Sequence, residues 1–187
     1  MPKKTISEGI SEALQISLSK KHSTGGICAS FAFDWIKKSL NGMTPTAEIY
    51  TVAKRLDKIA SRQKLQDGGC FSAGGLPDLA KGYKLKLAAT NCRKAMHDFA
   101  SDSDSSDSLE SKIDALNAGI YYVSMELKGD RHGFAVDFRR NDIFYVGDVG
   151  TGTYSETGTS RTRCIQDQVN LFQDEALSFE LYAVTLA

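Results

Sequence analysis

A cysteine stands at the start of an apolar helical stretch, directly behind two glycines. In STGGICASFAFDWIKKSL (residues 23–40), Cys28 follows Gly25 and Gly26. A helix N-terminus carries partial positive charge and favours an anion, and the thiolate is the reactive form of cysteine. Glycines lack side chains and let another chain approach closely. The sequence therefore indicates either a nucleophile with backbone N–H groups beside it or a small buried residue opening a core helix.

A histidine and an aspartate supply the groups that such a nucleophile needs. His132 lies at the start of a predicted strand in GDRHGFAVDF (residues 129–138), whereas His97 falls within a predicted helix. A hairpin turn centred near residue 140 places Asp148 opposite His132, close enough for the carboxylate to accept the Nδ1–H and orient the ring. This predicts Cys28, His132 and Asp148 as a catalytic set. A purely structural cross-strand His–Asp pair is the alternative.

Helical periodicity dominates the first part of the chain, and a period of two dominates the second. The spacing predicts helices over residues 10–18, 27–40, 45–66, 76–81, 91–99, 109–117 and 161–174. It predicts strands over residues 83–89, 119–127, 132–138, 142–148 and 177–186. The predicted fold is α+β in one domain, with a helical part over about residues 1–118 and an antiparallel sheet over about 119–187.

The same pattern predicts how the catalytic set is assembled. The side chains expected on the face of His132 are apolar and belong to two strands: Phe134, Val136, Phe144 and Val146. We expect this face to pack against the helical part, because Cys28 would then meet His132 there.

Composition and charge exclude several classes of function. The 23 basic side chains equal the 23 acidic ones, so nothing favours a nucleic-acid partner. No apolar run approaches the length of a membrane span, and MPKKTISEGI lacks the apolar stretch of a cleaved secretory signal. No cofactor or metal is expected. The glycine-rich segment 67–75 lacks a phosphate-binding pattern, and the acidic loop 101–108 lacks the glycine and glutamate of an EF-hand.

The four cysteines are too widely spaced for a zinc ribbon or a thioredoxin-type pair. They are Cys28, Cys70, Cys92 and Cys164. A chain of this length can bury a core without disulfides, so we interpret all four as free thiols. Burial is the expected state of the last three, which have no assigned role.

Three motifs together resemble the YopT/AvrPphB cysteine peptidases (peptidase family C58), a papain-like group of bacterial virulence effectors. They are Cys28 with Trp35 seven residues later, G-x-x-H-G-F-A-V at 129–136 and F-Y-V-G-D-V-G at 144–150. The resemblance runs from about residue 20 to the end of the chain. It implies a papain-like fold in which Cys28 is the nucleophile, His132 the general base and later the acid, and Asp148 the residue that orients His132.

Two positions depart from the family pattern. Asp148 is followed by Val149 and Gly150 instead of Pro-Asn. Five and six residues before the cysteine, where papain-like peptidases often have a Gln or Asn for the oxyanion hole, this chain has Ser23 and His22. The resemblance makes Ser23 and His22 the candidate donors, beside the backbone N–H of Cys28.

The resemblance also implies a function and a location. The chain would be a thiol endopeptidase that passes through an acyl-enzyme and cleaves a host protein, membrane-associated signalling proteins included. It would reside in the bacterial cytoplasm before export into a host cell, without a cleaved signal peptide. A cleft for a basic or lipidated tail would be acidic, and no pro-segment for self-cleavage is expected. Two alternatives remain: an acyltransferase, deamidase or amidase with the same three residues, and a catalytically inactive papain-like binding module.

Overall fold

In the part of the chain that the computed structural model describes, seven strands form one antiparallel sheet that helices cover on both faces. Those residues are 3–44, 50, 53–67, 75–95, 109–172 and 174–187. The helices are α1 (Glu12–His22), α2 (Cys28–Leu40), α3 (Ala53–Asp67), α4 (Gly75–Gly82), α5 (Leu109–Asp114) and α6 (Arg161–Val169), which continues into a 3-10 turn at Asn170–Phe172. The strands are β1 (Lys4–Ser7), β2 (Leu85–Ala95), β3 (Ile120–Leu127), β4 (Asp130–Asp137), β5 (Ile143–Asp148), β6 (Gly152–Thr157) and β7 (Ala176–Leu186). Their order across the sheet is β1-β6-β5-β4-β3-β7-β2.

Side chains of the central strands alternate between two apolar cores, one on each face of the sheet. Tyr122 and Ala135 pack in a first core with α1 to α4. Val123 and Phe134, their neighbours along the chain, pack in a second core with α5 and α6. Both faces of the sheet are therefore buried, which explains why the central strands carry large apolar side chains on both faces.

Two glycines of the sheet make room for aromatic side chains. The indole of Trp35 occupies the place where a side chain on Gly147 would be, since an added Cβ would fall 2.5 Å from the ring. The indole N–H also donates to the Thr153 hydroxyl at 3.0 Å. At Gly133 an added Cβ would fall 2.1 Å from the Tyr122 hydroxyl. Gly147 therefore lets α2 lie close against β5, and Gly133 makes room on β4 for the Tyr122 side chain of the neighbouring strand β3.

The mixed helix and antiparallel-sheet architecture confirms the predicted fold class, but the division along the chain is less strict than expected. Strands β1 and β2 lie in the first part of the sequence and pair with β6 and β7 at the two edges of the sheet. Neither β1 nor β6 is among the predicted strands. These edge strands form by pairing with strands far away in the sequence, and the local residue pattern does not indicate such pairing.

Two predicted helices differ from the structure. Residues 91–95 extend strand β2 and do not begin a helix, because their backbone pairs with β7 through Ala95–Ser178. Helix α6 ends at Val169, before the predicted end at 174. The rest of the predicted 91–99 helix lies outside the described residues, as do His97, Cys70, the acidic loop 101–108 and the predicted start of helix 45–66. Among the described helices, none has the length and apolar composition of a membrane span.

Candidate active site

Cys28 is the first residue of α2, and its helix end has open donors. Ile27 at the N-cap supplies no side-chain acceptor. The N–H of Ser30 donates to the side-chain oxygen of Gln63 at 2.9 Å. None of the hydrogen bonds between described residues uses the N–H of Cys28 or Ala29. Two backbone donors at the positive end of α2 are thus placed for an anion beside the Cys28 sulfur.

His132 lies near the start of β4 and contacts both expected partners. Its Nε2 is hydrogen-bonded to the Asp148 carboxylate, and its ring interacts with the Cys28 sulfur. That sulfur lies 3.9 Å from the backbone oxygen of Arg131, the preceding residue. The phenyl ring of Phe172 packs against the imidazole with ring centroids 4.6 Å apart.

These contacts favour the imidazolium form of His132. Burial alone would lower the pKa of His132, but the bonds to Asp148 and Cys28 outweigh burial and raise the pKa from 6.5 to about 10. A charged imidazolium facing a sulfur is the state that stabilises a thiolate at neutral pH.

Asp148 ends β5 and is held from two sides. One carboxylate oxygen bonds His132, and the other accepts the N–H groups of Gly150 at 2.8 Å and Thr151 at 2.7 Å. Burial would raise the pKa of Asp148, but His132 and these N–H donors together lower it. A buried carboxylate that stays charged can orient the imidazole and balance its charge.

The predicted pairing of His132 with Asp148 is wrong in register and in the nitrogen used. The ladder between β4 and β5 runs Ala135–Gly147, Val136–Val146 and Asp137–Tyr145, two residues away from the expected register. This ladder ends before His132, which reaches Asp148 diagonally by its side chain. The ring uses Nε2 for Asp148, and this leaves Nδ1 for Cys28. The hairpin turn is longer than the two or three residues assumed, and turn length sets register.

The apolar face of His132 packs against the predicted helical part only through α5, and the expected contact of this face with α2 is wrong. Phe134, Val136, Phe144 and Val146 pack in the second core with α5 and α6, not against α2. Helix α2 covers the opposite face, through Ala135 and Tyr122. Cys28 still lies beside this end of β4, with its sulfur 3.9 Å from the Arg131 oxygen. His132 is paired there with Met125 of β3 but not with β5.

A cleft runs past Cys28 and His132. A cavity of about 400 Å³ is lined by the loop between α1 and α2, by one side of α1 and by residues 130–132. A smaller one of about 30 Å³ shares Gly25, Gly26, Cys28 and His132 with it and extends to Gln63. Gly26 borders open space, since nothing lies within 4 Å of an added Cβ.

The charge of this cleft differs from the acidic lining that the resemblance implied. Its described lining carries Glu12 and Asp130 against Lys20 and Arg131, so acids and bases are balanced.

The two candidate oxyanion donors lie in different surroundings. Ser23 ends α1 in a left-handed conformation (φ 52°) and lines the larger cavity. His22 does not line either cavity, and its Nε2 is 2.8 Å from the Asp57 carboxylate. The geometry therefore favours Ser23 over His22 as a neighbour of Cys28.

Gln63 is not among the site residues predicted from the sequence. This buried side chain projects from α3, accepts from the first turn of α2 and lines the small cavity with Cys28 and His132. It lies 35 positions after the cysteine, so its place beside Cys28 depends on the packing of α3 against α2. The one signal in the sequence is a polar residue among the apolar positions of α3, after Leu56, Ile59 and Ala60.

The cysteines outside the cleft are buried and unpaired where they are described. Cys92 and Cys164 are free thiols in the second core, and burial raises the pKa of each. Cys28 is half-buried and also free.

Comparison with known proteins gives a structural relationship. No family model and no curated protein matches the chain. The crystal structure of the Pseudomonas avirulence protein AvrPphB is similar, with a TM-score of 0.57 and 14% sequence identity over 90% of this chain and 94% of that one. The likeness confirms the predicted papain-like α+β fold. At this identity it does not extend to a family assignment or to the roles of residues.

Proposed function

We propose that this protein is a papain-like cysteine peptidase in which Cys28 is the nucleophile, His132 the acid–base catalyst and Asp148 the residue that orients His132. The hydrogen bond between His132 Nε2 and the buried Asp148 carboxylate supports this most directly. It holds the ring with Nδ1 available to a sulfur that sits at a helix N-terminus.

The proposed reaction begins with the thiolate of Cys28 and the imidazolium of His132. The sulfur attacks the scissile carbonyl carbon, a C–S bond forms, and the carbonyl electron pair moves to oxygen. The N–H of Cys28 binds that oxyanion, with the Ser23 hydroxyl as a second donor. His132 then gives its proton to the leaving amine as the C–N bond breaks, and a thioester remains on Cys28.

Water completes the cycle in this scheme. The neutral His132 accepts a proton from water as the water oxygen attacks the thioester carbonyl, and the carboxylic acid product leaves as the C–S bond breaks. Asp148 keeps its charge throughout and stabilises the imidazolium whenever it forms.

We further propose that the substrate is a protein of a host cell, reached after export from the bacterial cytoplasm. Support comes from the overall likeness to the fold of a Pseudomonas avirulence protein. The open border at Gly26 and the length of the cleft past α1 suit an extended polypeptide.

Alkylation by limiting iodoacetamide, followed by mass spectrometry, tests the Cys28–His132 pair without a known substrate. We expect Cys28 of wild type to react at pH 6 at least about tenfold faster than Cys28 of His132→Ala, because His132 stabilises its thiolate. A His22→Ala control should react as fast as wild type, and the buried Cys92 and Cys164 should stay unmodified in all three proteins. An ordinary Cys28 rate that rises only towards pH 8.5 contradicts the pair and favours a binding module.

Digestion of a peptide library, read by mass spectrometry, then tests peptidase activity. Wild type should generate new termini at defined sequences, and Cys28→Ala should generate none.

A further inference from the structure

A second cavity, of about 580 Å³, lies at the far end of α2 from Cys28. The last turns of α2, one side of α3 and the turn after α4 line it, and it shares no described residue with the cleft. Six lysine and arginine side chains belong to its lining in addition to Arg55: Lys37, Lys38, Lys54, Lys58, Arg62 and Lys84. We call it the basic cavity.

The charge of the basic cavity is unusual for this chain. Basic and acidic residues are equal in number over the whole sequence. Among the described lining residues, Asp34 is the one carboxylate, and it is already bound to Arg55 at 3.1 Å. The other six cations take part in none of the ion pairs between described residues. The cavity therefore has a strong positive field with little internal compensation.

Helical geometry concentrates these charges. Lys54, Lys58 and Arg62 follow each other at intervals of four along α3, so they form one stripe on one side of the helix. Like charges at this spacing destabilise an isolated helix. The arrangement is unfavourable for the folded chain alone and favourable once an anion binds.

Part of the cavity is rigid. Asp34 fixes the Arg55 guanidinium, and the Arg62 guanidinium lies over the Tyr83 ring at 4.5 Å. Burial lowers the pKa of Lys38, Asp34 partly offsets this, and Arg55 lowers it further. A bound anion would relieve that unfavourable environment. Two oriented guanidinium groups, together with the lysines of the lining, suit the several oxygens of a phosphate-bearing ligand.

We infer that the basic cavity binds a small, multiply charged anion that carries phosphate groups. Its volume lies in the range of small-molecule sites, about 300–1,000 Å³. A nucleic acid would require a longer basic surface than this one cavity on a chain of zero net charge. The phosphate groups can belong to a soluble polyphosphorylated molecule or to a phospholipid headgroup. This inference does not depend on the role of Cys28.

Calorimetric titration of the full chain with inorganic tripolyphosphate tests the site. We expect saturable binding at low salt that weakens as ionic strength rises. The double variant Lys54→Gln/Lys58→Gln should weaken binding by about tenfold or more. Both side chains are exposed, so the fold should persist, which circular dichroism checks. Lys64→Gln is the matched control, since Lys64 is exposed on the same helix outside the cavity and its loss should leave binding unchanged.

Vesicle co-sedimentation distinguishes the two sources of phosphate. The probes are phosphatidylcholine vesicles with and without phosphatidylinositol bisphosphate. If sedimentation requires the phosphorylated lipid and is lost in the double variant, the ligand is a phospholipid headgroup. Tripolyphosphate binding without sedimentation assigns a soluble ligand. If wild type binds neither probe, or if Lys64→Gln weakens binding as much as the double variant does, the inference is overturned.

Discussion

Replacing Asp148 by asparagine tests how the candidate site holds its proton. One oxygen of Asp148 accepts two backbone N–H groups, from Gly150 and Thr151, and the other bonds His132. In Asp148→Asn the remaining oxygen should stay with the two backbone donors, because turning it away would leave both unsatisfied. The new NH2 group then faces His132 and donates to Nε2. Nδ1 must carry the proton of the neutral ring, so the ring presents a donor to Cys28 and cannot accept the thiol proton.

The size of the effect follows from the pKa of His132. A rise from 6.5 to about 10 in the folded protein corresponds to about 5 kcal/mol in favour of the imidazolium. Asp148 and Cys28 share this contribution. Losing the carboxylate should lower the pKa of His132 and reduce kcat/KM by about 10²–10⁴-fold.

The same shift makes stability depend on pH. The folded-state pKa of His132 lies above the unfolded one, so its contribution to stability is complete below about pH 6.5 and is lost as the pH rises towards 10. In Asp148→Asn the loss should be smaller and should occur at lower pH.

Titration of the histidine ring carbons by NMR measures the effect directly. The chain contains three histidines, and selective isotope labelling of histidine resolves their three ring signals. The matched control is Asp57→Asn, because Asp57 is the carboxylate partner of His22. Its loss should change neither the titration of His132 nor the alkylation rate of Cys28. If His132 of Asp148→Asn titrates as in wild type, Asp148 is not the group that raises the pKa of His132.

Two glycine substitutions make further predictions. Gly147→Ala places a methyl group 2.5 Å from the Trp35 ring, so urea denaturation should show a loss of about 1–3 kcal/mol and Cys28 alkylation should slow as α2 is displaced. An unchanged midpoint would show that the close packing of α2 on β5 is unnecessary. Gly26→Val meets open space, so stability should be kept while kcat/KM on a cleaved peptide falls by about tenfold or more. Equal activity would mean that substrate does not pass Gly26.

Much of the fold could be predicted because its signals are local. Alternation in GIYYVSMEL and HGFAVDF indicates strands that β3 and β4 confirm, since the strand period of two is built into the backbone. The apolar spacing after Cys28 likewise predicts α2. Where local and long-range preferences compete, as at residues 91–95, pairing with β7 decides, and the predicted helix is wrong.

The sequence predicts three residues of the candidate site but not its geometry. Cys28, His132 and Asp148 were identified from residue type and position, and their catalytic roles remain predictions. Three features depend on how α1, α2 and α3 pack. They are the ring nitrogen that faces Asp148, the position of Gln63 next to α2 and the pairing of His22 with Asp57. Side-chain bonds between residues far apart in sequence leave no periodic signal in the chain.

Local patterns in the chain specify which residues share a strand face, where helix α2 begins and that a thiol opens it. These properties follow from backbone periodicity and from the preferences of glycine and polar residues at helix ends. Long-range packing sets the β4–β5 register, the core that covers each face and the gathering of α2, α3 and Lys84 around the basic cavity. Register and layer order are set by the free energy of burying whole faces against one another, which is a property of the assembled sheet and helices.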